Sequence, residues 1–169
     1  MMAAVEETSE YLASVGSEWE VLGTLLATPD AHYALDVLRD EHFTDPAAKL
    51  LFSLIVRVAV DGGLPSMNAI APLLRGQEVG GLKDWKILAM ATQRIGDTSL
   101  DTLQSNIISL KEYSGRRRMT NLAERLHVTG GSVFSPILPG CEHAIKELDE
   151  IAAELRNTKS TSHTVGELS

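Results

Sequence analysis

Apolar residues recur along this chain at the three- and four-residue steps of an α-helix, and almost nowhere do they alternate as they would in a strand. The clearest stripe, Leu50, Leu51, Leu54, Ile55 and Val58, belongs to a helix expected over Ala47 to Val60. Asp45 offers an N-cap carboxylate, Pro46 fills the first helical position, where its missing N–H costs nothing, and Gly62-Gly63 ends the helix. FTDP is therefore a helix start. Upstream, Ser17 with Glu20 forms a capping box that opens SEWEVLGTLLAT, and Pro29 lies just beyond its end. A short helix follows over Ala31 to Leu38, with Leu35 and Leu38 on one face and Phe43 plugging the gap before the next helix. Ser66 caps Met67 to Leu74, which Pro72 should bend or shorten. Gln77 to Gly81, QEVGG, is a turn. Leu82 to Arg94 forms a helix with Trp85, Leu88, Ala89 and Thr92 on one face, and Ile95 to Asp101 breaks it.

From Thr102 the periodic segments lengthen. Leu103, Ile107 and Leu110, then Met119, Leu122 and Leu126, mark one long helix whose stripe changes phase around Ser114-Gly115 and which Gly130-Gly131 ends. A second runs from about Pro139 to Leu155. Along it Leu138, Cys141, Ile145, Leu148, Ala152 and Leu155 alternate steps of three and four without a slip, the seam of a helix that packs lengthwise on another. The two segments read as an antiparallel hairpin. Ala144 and Ile151 widen the stripe beyond what one partner helix covers, which points to a second chain as further cover. The seam residues, with Ile151, Leu122 and Leu126, are thus the expected oligomer interface. Asn157 to His163, NTKSTSH, reads as polar linker, and Thr164-Val165-Gly166-Glu167 has the capping-box pattern of a new helix. The expectation is an all-α chain: a flexible segment over 1–16, a small helical bundle over 17–101, a long hairpin over 102–156, and a linker with the start of a linker helix over 157–169.

Composition narrows the function. With 169 residues and 44% hydrophobic content the chain is long enough for a real core. A net charge of −8 repels phosphate, so tight autonomous binding to nucleic acid would need a strong local basic patch. A single cysteine, Cys141, leaves no internal disulfide framework and suits a reducing cytoplasm. MMAAVEETSE lacks the apolar core of a secretory signal, and LLFSLIVRVAV, Leu50 to Val60, is too short to span a bilayer.

Candidate chemistry is sparse. No GxxxxGK[ST] phosphate loop occurs, so ATP hydrolysis by this chain is not expected. The histidines at 32, 42, 127, 143 and 163 lack HExxH or Cys/His spacing, and no metal or other cofactor site is expected. Cys141 has no adjacent base to lower its pKa and reads as a small core residue on the seam; Glu142-His143, Asp40-Glu41 and Asp149-Glu150 read as solvated charge. Trp19, Phe43, Phe52 and Trp85 fall at helical core positions. Arg116-Arg117-Arg118 is the one basic cluster. It is either a solvated stretch supported by Glu112, four residues before Arg116, or a contact to a neighbouring subunit, a partner protein or a DNA backbone.

Taken in order, Glu18-Trp19-Glu20-Val21-Leu22-Gly23, Phe43-Thr44-Asp45-Pro46 with Leu51-Phe52, Gly63-Leu64-Pro65, Val79-Gly80-Gly81 and Arg117-Arg118 resemble the N-terminal domain of DnaB-type replicative DNA helicases. The resemblance spans about Ser17 to Leu155, with departures at Pro72 and in the QEVGG turn. It implies a helical bundle followed by a hairpin that pairs with other hairpins in the collar of a hexameric ring. It further implies a cytoplasmic replication module, in a bacterial or phage-infected cell, that binds itself as a dimer or ring and docks a primase or helicase loader. Direct DNA binding would be weak or absent, and ATP and Mg would enter only with a following ATPase domain. The chain then reads as a segment of a bacterial or phage helicase, or as a free-standing relative without the motor. The other reading is a free-standing adaptor, a loader or inhibitor that mimics a helicase collar.

Overall fold

The computed structural model describes the backbone of residues 2–93 and 99–168, and the side chains of residues 9–93 and 99–157. Helix α1 runs from Met2 to Ala27, passing straight through Ser17. The capping box is therefore not used, and the segment expected to be flexible is helical from Met2. No proline precedes Ser17, and the Ala- and Glu-rich stretch ahead of it favours continuation over a local cap. Where one helix was expected over Ala31 to Leu38, Pro29–Tyr33 forms a 3₁₀ turn that passes into the short helix α2, Ala34–Val37. A second 3₁₀ turn, Asp40–His42, is fixed by the Arg39 N–H donating to His42 Nδ1 at 2.9 Å.

Helix α3, Pro46–Val60, begins where the sequence indicates, with Asp45 Oδ1 accepting from the Ala47 N–H at 3.1 Å. It ends in a glycine cap: the Gly63 N–H reaches Val58 O at 2.9 Å and the Gly62 N–H reaches Ala59 O at 3.1 Å, with Gly62 at φ +83°. Helix α4, Met67–Leu74, is capped by Ser66 Oγ, carries Pro72 inside and stops soon after it. The QEVGG turn is more than a turn. Strands β1, Glu78–Val79, and β2, Leu82–Lys83, pair antiparallel around Gly80-Gly81, whose φ values of +60° and +77° are those of a tight two-residue hairpin turn.

Helix α5, Asp84–Gln93, starts after that hairpin rather than at Leu82. Both oxygens of Asp84 are engaged, Oδ2 by the Gly76 N–H at 2.9 Å and Oδ1 by the Trp85 N–H at 2.7 Å, which hold this carboxyl below the usual carboxylate range. Ile87 and Ala91 are its buried residues, while Trp85 is 65% exposed. The expected Trp85 face was thus mis-phased, because Trp85 lies roughly 200° around the helix from Ile87. Arg94 and most of the expected break at Ile95 to Asp101 fall outside the described residues. Helix α6, Leu100–Gly131, and helix α7, Ile137–Leu168, complete the chain.

The chain divides into two units, Met1–Leu110 and Lys111–Ser169. In the first, Trp19, Leu22, Leu25, Leu51, Phe52, Ile55, Ile70, Leu74 and Ile87 form a continuous core that also takes in Leu103, Ile107 and Leu110 of α6. The Asn106 side-chain N–H donates to Glu20 Oε2 at 2.9 Å and the Tyr33 hydroxyl to Gln104 Oε1 at 3.1 Å, so the first turns of α6 belong to the bundle. In the second, α6 and α7 run antiparallel. A Cβ at Gly115 would meet Ile151 Cγ2 at 3.4 Å and Leu155 Cδ1 at 3.9 Å, and one at Gly140 would meet Thr129 Cγ2 at 3.4 Å. The polar stretch expected as a linker from Asn157 continues α7, and Thr164–Glu167, expected to start a helix, lies inside it. Adding residues to a helix already nucleated costs little, and no proline stops this one.

Candidate assembly surface on the helical hairpin

The hairpin joins charged and apolar chemistry. On one side Arg118 of α6 reaches Glu150 at 3.1 Å and Glu147 and Glu154 at 3.9 Å. About two turns further along α6, Arg125 donates to Glu147 at 2.6 Å and approaches His143 Nε2 at 3.2 Å, while His143 lies 3.5 Å from Glu147. Of the basic cluster, Arg116 is exposed, Arg117 is half-buried, and Arg118 is the residue turned toward these α7 carboxylates. The signal for this ion-pair rack was in the sequence, as Glu147, Glu150 and Glu154 stand three and four residues apart on one helix face.

The inner face is small and apolar. Leu122 of α6 and Ala144 and Ile151 of α7 are buried, and Ala152 and Leu155 are half-buried. This corrects the expected seam in part, keeping Ala152 and Leu155 inward but not its first four residues. Ala144 and Ile151, read as the outer margin of the α7 stripe, are its inward positions, whereas Leu138, Ile145 and Leu148 are 68%, 62% and 43% exposed and Cys141 is exposed too. The physical reason is size: at Gly115 and Gly140 the helices approach so closely that the contact line follows Ala144 and Ile151, leaving the bulkier line outside.

Exposed Met119 and Leu126 of α6 lie about 100° around that helix from Arg118 and Arg125, and Leu126 borders the cleft that Arg118, Arg125, His143 and Glu147 also line. With Cys141, Ile145 and Leu148 they give the hairpin a set of exposed apolar side chains. At its tip Val133 and Phe134, both 95% exposed, extend the set, and Ile137 is exposed beside Leu138. Val133 and Phe134 were missed from the sequence because a loop has no period to betray its apolar side chains, and Ile137 because it opens α7, ahead of the expected start near Pro139.

Of the residues that carried the family resemblance, Glu18, Trp19, Phe43 to Pro46, Phe52 and Gly80 lie in the bundle, whereas Arg117-Arg118 lie in the second unit. The buried Glu18 carboxylate accepts from the Thr44 N–H and from the Thr44 hydroxyl at 3.0 and 3.2 Å, and burial pushes its pKa up against those hydrogen bonds. Trp19 Nε1 donates to Asp45 Oδ2 at 2.8 Å, so the residue that caps α3 also anchors the indole. Phe43 stacks on Phe52 with ring centroids 4.5 Å apart, and Gly80 lies against Pro46.

Compared with known proteins, the chain superposes on the crystal structure of the N-terminal domain of DnaB helicase from Mycobacterium tuberculosis with a TM-score of 0.64 and 19% sequence identity, over 80% of this chain and 95% of that one. The fold is that of the DnaB N-terminal domain. No family model matches the sequence, and no curated protein does. The all-α expectation, a bundle followed by a hairpin, is what the DnaB N-terminal fold provides. Among the described residues no helix is long and apolar enough to cross a membrane.

Proposed function

We propose that this chain serves as a non-catalytic collar domain in DNA replication: it assembles with copies of itself through the hairpin, supports the ring of a replicative helicase, and docks a primase or helicase loader. The DnaB N-terminal fold supports the class of role. The observation that carries the assembly step is the set of exposed apolar side chains on the hairpin, Met119 and Leu126 on α6 with Leu138, Cys141, Ile145 and Leu148 on α7. Burying one such side chain contributes on the order of 1.5 to 3 kcal/mol, so two of them on each copy are enough to decide whether copies associate.

Light scattering on the wild type and on the Ile145→Asp/Leu148→Asp variant tests this. An oligomer that dissociates in the variant, with helical circular dichroism retained, is expected. A monomeric wild type, or a variant that associates as the wild type does, refutes hairpin assembly. Leu155 is unsuitable for this test because it touches the Gly115 site inside the hairpin.

A further inference from the structure

The two tryptophans stand in opposite states: Trp19 is 1% exposed in the core and Trp85 is 65% exposed. Trp85 lies at the start of α5, just after β2, with exposed Lys83 before it and exposed Lys86 after it. Arg75, also exposed, joins them through the backbone. The Asp84 carboxylate takes the Gly76 N–H on one oxygen and the Trp85 N–H on the other, which brings the end of α4 against the start of α5. Those two hydrogen bonds, aided by the nearby charges of Arg75 and Lys83, hold the carboxyl below its usual range. Glu78 stands across the ladder from Lys83 and offsets part of its charge. Even so, Arg75, Lys83 and Lys86 outnumber Glu78 and Asp84 around an open indole, in a chain whose net charge is −8.

We propose that this patch binds single-stranded DNA, with one base stacked on the Trp85 indole and phosphates held by Arg75, Lys83 and Lys86. Stacking needs an open aromatic face and a base whose own face is free, which a single strand offers and a duplex does not. A protein partner would anchor itself by a side chain that fills a pocket, whereas Trp85 stands out from the surface. The tight turn at Gly80-Gly81 and the Asp84 bridge fix the backbone ahead of the indole, so binding has little left to order. So few cations make the binding weak and salt-sensitive, in keeping with the negative charge of the whole chain. The site lies in the first unit and needs nothing from the hairpin. Only the choice of DNA over RNA rests on the proposed role in replication.

Oligo-dT titrated into the intact chain tests this, followed by tryptophan fluorescence and by anisotropy of a labelled strand. Saturable binding at low salt is expected, with quenching of Trp85 and not of buried Trp19. Two to three phosphates at about −0.7 each in the salt slope make binding roughly 7- to 20-fold weaker at about 200 mM than at about 50 mM salt. Trp85→Ala should weaken binding at least about fivefold with unchanged circular dichroism, Trp85→Phe should keep most of the affinity, and Lys83→Gln with Lys86→Gln should flatten the salt dependence. Absence of saturable binding, or equal binding by Trp85→Ala, overturns the site. Equal binding of polyglutamate or of duplex DNA overturns the stacking and leaves a general anion surface. An acidic peptide with an aromatic residue that binds more tightly than oligo-dT overturns it in favour of a protein partner. Oligo-rU that binds more tightly than oligo-dT overturns the choice of DNA and leaves the stacking site standing, and none of these results bears on hairpin assembly.

Discussion

Asp45 does two jobs with one carboxylate: Oδ1 accepts from the Ala47 N–H at the start of α3, and Oδ2 accepts from the Trp19 indole at 2.8 Å. Its replacement by Ala removes an N-cap, which costs about 0.5 to 2 kcal/mol, and strands a buried indole N–H, which costs about 1 to 3 kcal/mol more. Urea unfolding of Asp45→Ala should therefore show a loss of a few kcal/mol, while Trp85→Ala, on an exposed side chain, should stay within about 0.5 kcal/mol of the wild type. A large loss at Trp85 would mean that its side chain is covered. Glu18 contributes a pH dependence of its own. Burial raises its folded-state pKa above the ordinary 4.5, so the folded protein holds this proton more tightly than the unfolded chain does. Its contribution is then fully present below the ordinary value and is lost as pH rises through the raised one. The stability of the wild type relative to Glu18→Gln should fall across that window above 4.5 and level off beyond it. A difference that rises with pH would show the Thr44 hydrogen bonds outweighing burial.

At the scale of elements, glycines with opposite roles give opposite expectations. Gly80 sits at φ +60° in the hairpin turn, and Gly80→Ala should cost about 1 to 2 kcal/mol. Gly115 is helical and an added Cβ would find ordinary contact with Ile151 at 3.4 Å, so Gly115→Ala should be neutral or stabilise by up to about 1 kcal/mol through helix propensity. Thermal melts of the two variants decide both, and a Gly115→Ala loss would mean tighter helix contact than this. What the sequence made legible divides along the same line. The α3 start and stop were readable because Asp45, Pro46 and Gly62-Gly63 act locally. The start of α1 was not, because the Ala- and Glu-rich stretch ahead of Ser17 overrides the local cap, and neither were the phase of α5 and the inward line of α7, each set by what packs against the helix: Ile87 and Ala91 outcompete the larger Trp85, and Gly115 and Gly140 draw the contact line onto Ala144 and Ile151.

Across the whole molecule the hairpin carries the functional question, since its charged rack is satisfied by ion pairs while several of its apolar side chains stay exposed. Exposed ion pairs contribute about 0 to 1 kcal/mol each, so Arg118→Ala should weaken the hairpin modestly and leave self-association intact. Arg116→Glu with Arg117→Glu separates the other role expected for the cluster: unchanged assembly together with lost primase or loader binding would make these arginines a docking contact, and no change in either would make them a solvated face. The most direct measurement is hydrogen exchange on the intact chain at low and high protein concentration, followed peptide by peptide. Protection over residues 137–150 should rise with concentration in the wild type and stay flat in Ile145→Asp/Leu148→Asp. Exchange there that is independent of concentration, or a rise confined to the bundle, would contradict assembly through the hairpin.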